Sequence, residues 1–399
     1  MHTVHFQTGL DSLCQLPPAE LRDARLGLVM NQASVDASLE YACDAIERSL
    51  PGRLTTLFSP QHGMWGEQQA NMIASGHATH ARLGIPIYSL YSETRRPSPR
   101  MLDNIDCLVI DLQDVGTRVY TYIWTMLECL YACADAGKSV YVLDRPNPLG
   151  GRQVEGPVLQ PDFISFVGNA CIPLRHGLTI AELAQFFTDT FAIAVDLHIV
   201  KMQGWHRGMW FEECQRPWIW PSPNMPTLVT TVVYPGQVLL EGTQVSEGRG
   251  TTRPFEVVGA PYLDPRSLCA ELRHISQPGL ALLPLHFSPT FDKWAGHSCG
   301  GINLIVEAPS QVRSVRTTIA IMAAIARLAP DHFQWLPPPY EYEYNKLPID
   351  ILYGSPALRN YVEQVRGGLA ICEDDLDGLA ETNEIEWQAA ARPHAIYDT

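Results

Sequence analysis

No apolar run in the 399 residues reaches the ~18 needed for a membrane-spanning helix. Positive charge is also short: 28 Lys and Arg stand against 43 Asp and Glu, a formal net charge of -15. Phosphate-rich partners need basic surface, so nucleic acid and anionic membranes are excluded as general partners, although one local basic pocket is still allowed. Ten cysteines are present, but no CxxC pair. Cys129 and Cys133, four apart on a predicted helix, read as core packing; nothing suggests a disulfide scaffold, and free thiols fit a reducing compartment. The N-terminal MHTVHFQTGLDSL has neither a basic nor an apolar leader segment, so a cytoplasmic protein is expected. Phosphate cradles are missing too: no GxGxxG follows the first strand, and GxxxxGK[ST] occurs nowhere. GxSxG and HExxH are absent as well. The 13 histidines do not cluster at ligand spacing, and His77 and His80, three apart, fall in a polar loop. No metal and no other cofactor is expected.

What is present describes a soluble globular chain. It is 46% hydrophobic and 18% charged, with 31 prolines and 29 glycines spread as punctuation between periodic segments. A length of 399 predicts two domains, since single cores rarely grow past ~250–300 residues. The first half alternates short apolar runs with helical spacing, which predicts an α/β unit with a parallel sheet wrapped by helices. Strands are expected over residues 25–32, 53–63, 86–92, 107–116, 139–151 and 196–205, and helices over 34–50 and 120–136. Ligands of parallel sheets bind beyond the carboxyl ends of the strands. Those ends carry Gln61 and His62, then Asp111 and Asp114, then Asp144, Arg145 and Asn147. Thr179 and Glu182 form a capping box that opens a helix through residue 187. His176, just before it, is placed either to donate to a ligand or to brace the turn. Trp205, Trp210, Trp218 and Trp220 crowd the next segment, as core or as a surface for sugar C–H faces.

Residues 222–254, SPNMPTLVTTVVYPGQVLLEGTQVSEGRGTTRP, form the stretch around which the rest is arranged. Pro223, Pro226, Pro235, Gly236, Gly242, Gly248 and Gly250 predict an irregular loop. Asn224, Glu241, Thr243, Glu247, Arg249, Thr251, Thr252 and Arg253 predict a polar wall for a hydroxyl-rich ligand. Beyond it, helices over 264–275 and 310–328 and strands over 280–287 and 300–306 predict a smaller α+β unit. The acidic tail from residue 373 carries Trp387 and Tyr397 and is expected to dock.

The segments SPQHGMWGEQQANM, DLQDVGTRVYTYIWTM, DRPNPLGG with VEGP, RHGLTIAELA and PSPNMPT through EGTQVSEGRGTTRPFEVVGAP together resemble the exo-β-N-acetylmuramidase family over nearly the full chain. The resemblance implies a Rossmann-like domain over 1–235 and a smaller α+β domain over 236–399, with the site in the cleft between them. It implies release of terminal N-acetylmuramic acid from the non-reducing end of peptidoglycan fragments, so the expected partner is a small sugar substrate. One position departs from it. Many members read Glu-His-Gly where this chain has Gln61, His62 and Gly63, and an amide has no proton to give. The expected acid therefore moves to Glu67, with Asp111 or Asp114 orienting the acetamide or the water, and His62 beside them. By loop position and residue type, Arg118, Arg249 and Arg253 would pair with the lactyl carboxylate. Asn224, Glu241, Glu247 and His176 would bind hydroxyls, and Gln61, Tyr120, Asn147 and Thr251 complete the expected contacts. Two alternatives stay open: a metal-dependent hydrolase or deacetylase of amino sugars using Asp111, Asp114 and His62, and a non-catalytic sugar-binding protein.

Overall fold

A computed structural model describes residues 6–69 and 75–398. The first seven strands are β1 (Leu26–Met30), β2 (Leu54–Ser59), β3 (Ala78–Thr79), β4 (Pro86–Ser89), β5 (Cys107–Asp111), β6 (Ser139–Leu143) and β7 (Leu197–Val200). They make one sheet in the order β3-β4-β2-β1-β5-β6-β7. Every pairing is parallel except that of the short β3 with β4. The β1 and β5 side chains are buried throughout, as a strand covered on both faces requires. The chain winds outward from β1 on one side and from β5 on the other, so the loops after β1, β2, β5 and β6 leave from one edge. The strands are shorter than the sequence suggests, because their polar C-terminal extensions are loops.

Helix Tyr122–Ala136 is buried on most of its faces, and Gly137 ends it in the left-handed conformation (φ 61°). The capping box of helix Ile180–Thr190 is formed by Thr179 and Glu182. The helix expected over 34–50 is confined to Ala42–Ser49. Polar side chains capture the backbone ahead of it: Ser34 Oγ donates to the Asp111 carbonyl, and Asp36 Oδ1 accepts from the Ser38 and Glu40 N–H groups.

Residues 222–254 also differ from the expected loop. Helix Leu228–Gln237 starts on Thr227, whose hydroxyl accepts from the Thr230 N–H, and tightens into a 3-10 turn over Val238–Gly242. Pro235 lies within the last turn of this helix and removes one backbone donor from it. Most of the segment is buried, and polar groups on it pair with partners beyond its end: Thr230 with Glu256 and Gln237 with Thr318. Beyond it, β8 (Val257–Ala260), β9 (Leu280–Phe287) and β10 (Cys299–Val306) make a separate antiparallel sheet in the order β8-β10-β9. Helix Ser314–Leu328, buried along most of its length, packs on helix Leu228–Gln237.

One hydrophobic cluster joins the halves, running from Leu108, Ile123 and Trp124 through Val233 and Phe255 to Ile302 and Ile319. A second, including Leu28, Met30, Ile46 and Leu57, lies on the other face of the large sheet. The tail is docked: the Trp387 indole donates to the His176 carbonyl (3.0 Å) and Tyr397 Oη to Asp144 (2.6 Å). All ten cysteines are free thiols. Among the described residues, no helix is long and apolar enough to cross a membrane.

Candidate active site

A polar pocket lies where the loops after β2 and β5 meet the smaller sheet's half of the chain. Gln61, His62, Tyr120 and Thr121 come from the first half. Ser222, Asn224, Tyr234, Glu241, Arg249, Tyr340 and Glu341 face them. The pocket is narrow and opens to solvent.

Six of the residues expected from sequence are therefore brought together: Gln61, His62, Tyr120, Asn224, Glu241 and Arg249. Arg249 anchors one wall. Its guanidinium pairs with Glu241 (2.8 Å) and Glu247 (3.4 Å), and Glu247 also receives Lys293 Nζ (2.7 Å). Burial opposes charge in this chain of ions, yet Lys293 and Arg249 hold the Glu247 carboxyl below its ordinary range. Burial likewise works against Arg249, but Glu241 and Glu247 keep its guanidinium firmly protonated. Tyr340 Oη donates to Glu241 (2.5 Å). Opposite, burial lowers His62 to about 4, so its ring is neutral at physiological pH; its Nδ1 lies 2.7 Å from the Gln68 carbonyl, which assigns the proton to Nδ1.

Glu341 was not foreseen. It sits at the tip of a hairpin in which Tyr340 and Glu343 exchange both backbone hydrogen bonds (2.9 Å each). The two central residues, Glu341 (φ 41°) and Tyr342 (φ 70°), both have positive φ, a pattern that Asn-Gly adopts easily and that Glu-Tyr adopts under strain. The tip drives the Glu341 carboxylate inward, where it accepts from Tyr91 Oη (2.8 Å) and Gln61 Nε2 (3.3 Å). Beside it, Arg95 is stacked between the Tyr91 and Tyr342 rings, 4.2 Å from each centroid. Its Nη1 donates to the Ser92 and Thr94 carbonyls, and its Nε is buried without a hydrogen-bond partner among the described residues. The alternation of Tyr and Glu over 340–344, straight after three prolines, was the available signal.

Other expected residues lie elsewhere. Glu67 is exposed and accepts from the Trp65 N–H (3.2 Å), and Trp65 is itself 43% exposed, so that ring does not bury the carboxyl expected to be the acid. Asp111 is fully buried and bidentate to Arg145 (2.6 and 2.7 Å). Asp114 lies 3.3 Å from His176 Nε2 and accepts from the Gly116 N–H, so His176 braces this turn. Arg118 points its guanidinium at the carbonyls of Pro157, Ile172, Leu352 and Tyr353, and burial lowers it to about 9; it ties segments together and is closed to a ligand. Asn147 donates to the Leu178 carbonyl and Thr251 to that of Gly248. Arg253 is 60% exposed and pairs with Glu256. The strand ends thus share one edge, but only the loop after β2 and the stretch around Tyr120 face the pocket.

This arrangement offers one arginine-bound carboxylate, one carboxylate held by neutral donors, a neutral imidazole and several hydroxyls. Comparison with known proteins places it. Residues 26–229 match the N-terminal model, and residues 232–397 the C-terminal model, of exo-beta-N-acetylmuramidase NamZ. The peptidoglycan beta-N-acetylmuramidase NamZ of Bacillus subtilis (strain 168) is 44% identical over 330 residues, covering 83% of this chain and 80% of that protein. A crystal structure of a DUF1343 family protein from Bacteroides fragilis superposes with a TM-score of 0.87 at 28% identity, covering 99% of each chain. A second from the same organism, at 24% identity and TM-score 0.73, covers 98% of this chain and 99% of its own and shares the fold. The chain belongs to the exo-β-N-acetylmuramidase NamZ family.

Proposed function

We propose that the chain hydrolyses peptidoglycan fragments from the non-reducing end, releasing N-acetylmuramic acid. The observation that carries this reading is the convergence of Glu241 and Glu341, from different segments, on one pocket lined by hydroxyls and a neutral histidine. Glycoside hydrolysis needs a carboxylic acid for the departing oxygen and a second group at the anomeric carbon. A 2-acetamido sugar can supply that second group from its own amide oxygen. The protein then has to orient and polarise the amide, a task within reach of Gln61, Tyr120, Asn224 and the Glu241–Arg249 pair. Free thiols throughout fit a reducing compartment, so the substrate would be a recycled cytoplasmic fragment.

The lactyl carboxylate of muramic acid needs a cation. Arg249 is committed to two carboxylates, Arg118 to carbonyls and Arg253 to Glu256. Arg95, held by aromatic rings and carbonyls next to Glu341, is the guanidinium best placed to take it. A metal-dependent reading has little support, because its three residues do not converge: Asp111 is bound to Arg145, Asp114 lies against His176, and His62 against Gln68.

The test compares a chromogenic N-acetylmuramic acid glycoside with the matching N-acetylglucosamine glycoside, with muramyl disaccharide as the natural-type substrate. Faster cleavage of the muramic acid compound is expected. Tight binding of the disaccharide without sugar release would instead make this a sugar-binding protein, and equal rates on the two glycosides would remove the lactyl-reading element.

A further inference from the structure

Gln61 cannot serve as an acid, and its hydrogen bonds define what it does serve. Thr121 Oγ1 donates to the Gln61 Oε1 (2.6 Å), and Gln61 Nε2 is turned toward Glu341 (3.3 Å). Gln61 is therefore a donor to a carboxyl group from the far wall. Glu341 receives a second neutral donor, Tyr91 Oη, on its other oxygen. Glu241, by contrast, has a guanidinium as its partner. Arg95 lies beside Glu341 as well, so what sets Glu341 apart is that two neutral groups, Gln61 and Tyr91, donate to it.

We propose that Glu341 is the proton donor of this chain, and that Gln61 and Tyr91 position it; this rests on the muramidase reading above. As the C1–O bond breaks, its electron pair stays on the glycosidic oxygen, which leaves as a hydroxyl bearing the Glu341 proton. The substrate's acetamide oxygen forms the new bond at C1. Water then replaces that oxygen, and the proton it releases restores the Glu341 carboxyl. The balance is one water consumed and one glycosidic bond cleaved. The surroundings agree: burial raises the Glu341 carboxyl above the ordinary range and Glu241 adds to that, against the bonds from Tyr91 and Gln61 and the nearby Arg95 charge. The strained turn is accounted for as well, since a hairpin tip with two positive φ values aims this side chain into the pocket.

The experiment measures Glu341→Gln, checked for an unchanged melting temperature, on two substrates that differ in leaving group. On muramyl disaccharide, whose leaving hydroxyl needs a proton, kcat/KM, which reports the steps up to departure of the leaving group, should fall by roughly 10²–10⁴. On a dinitrophenyl glycoside of N-acetylmuramic acid, whose leaving group needs none, kcat/KM should stay within about tenfold of the unmutated value, the general-acid contribution having dropped out. Near-normal turnover of the disaccharide, or equal losses on both substrates, would overturn the assignment. A second measurement uses the unmutated protein: kcat/KM on the disaccharide should fall as pH rises and the acid deprotonates, and that limb should be missing with the dinitrophenyl glycoside. The same limb on both would also overturn the assignment. An unmutated protein that cleaves neither substrate overturns the muramidase reading itself.

Discussion

At the level of single residues, the pocket assigns arginines by what already holds them. Arg95 is stacked rather than salt-bridged, so its charge is available to an incoming carboxylate. A charge-assisted hydrogen bond is worth about 1.5–3 kcal/mol, or roughly 10- to 100-fold in rate preference. Arg95→Ala should reduce the preference for the muramic acid glycoside over the glucosamine glycoside by that factor, mainly by slowing the former, while Arg253→Ala should leave it alone. Unchanged discrimination in Arg95→Ala would refute the role. Sequence reading went furthest where a residue's type and its local loop were sufficient: Gln61, His62, Tyr120, Asn224, Glu241 and Arg249 all face the pocket. It went astray where burial decides. Asp111 and Arg118 look like ligand residues on paper, and only the fold reveals that Arg145 and four backbone carbonyls have taken them.

Among the elements, the parallel sheet was legible because doubly covered strands must be continuous apolar runs. Residues 222–254 were not, because proline and glycine at loop frequency hid a helix whose polar groups are satisfied by distant partners. The 340–343 hairpin was illegible for a different reason: a turn with two positive φ values advertises itself through Asn or Gly, and here Glu and Tyr occupy it. Gly236 shows how tightly the hidden helix is fitted. Replacing a helical glycine by alanine normally gains up to ~1 kcal/mol. Here the added Cβ would fall 1.9 Å from the Ser314 backbone oxygen, inside helix Ser314–Leu328. The clash wins, so Gly236→Ala is expected to destabilise by about 1–3 kcal/mol. Chemical denaturation would measure it, and a stabilised variant would show that the two helices can separate at no cost.

For the whole molecule, the hydrophobic cluster that passes from the large sheet to the small one ties the halves into one body. The two domains, matched by separate family models over residues 26–229 and 232–397, meet within helix Leu228–Gln237, which also runs across residue 235, so they share an element as well as a core. Thermal unfolding followed by calorimetry is expected to show one cooperative transition, and fragments cut near residue 235 should not fold alone. Two resolved transitions would separate the halves after all. The way Glu341 is carried has a further consequence for timing. It reaches the pocket from a short turn closed by two backbone hydrogen bonds, whereas the walls behind it belong to the shared core. Loops move in about ns–μs and packed halves in about μs–ms, so the Glu341 side of the pocket would rearrange faster than the pocket as a whole could open.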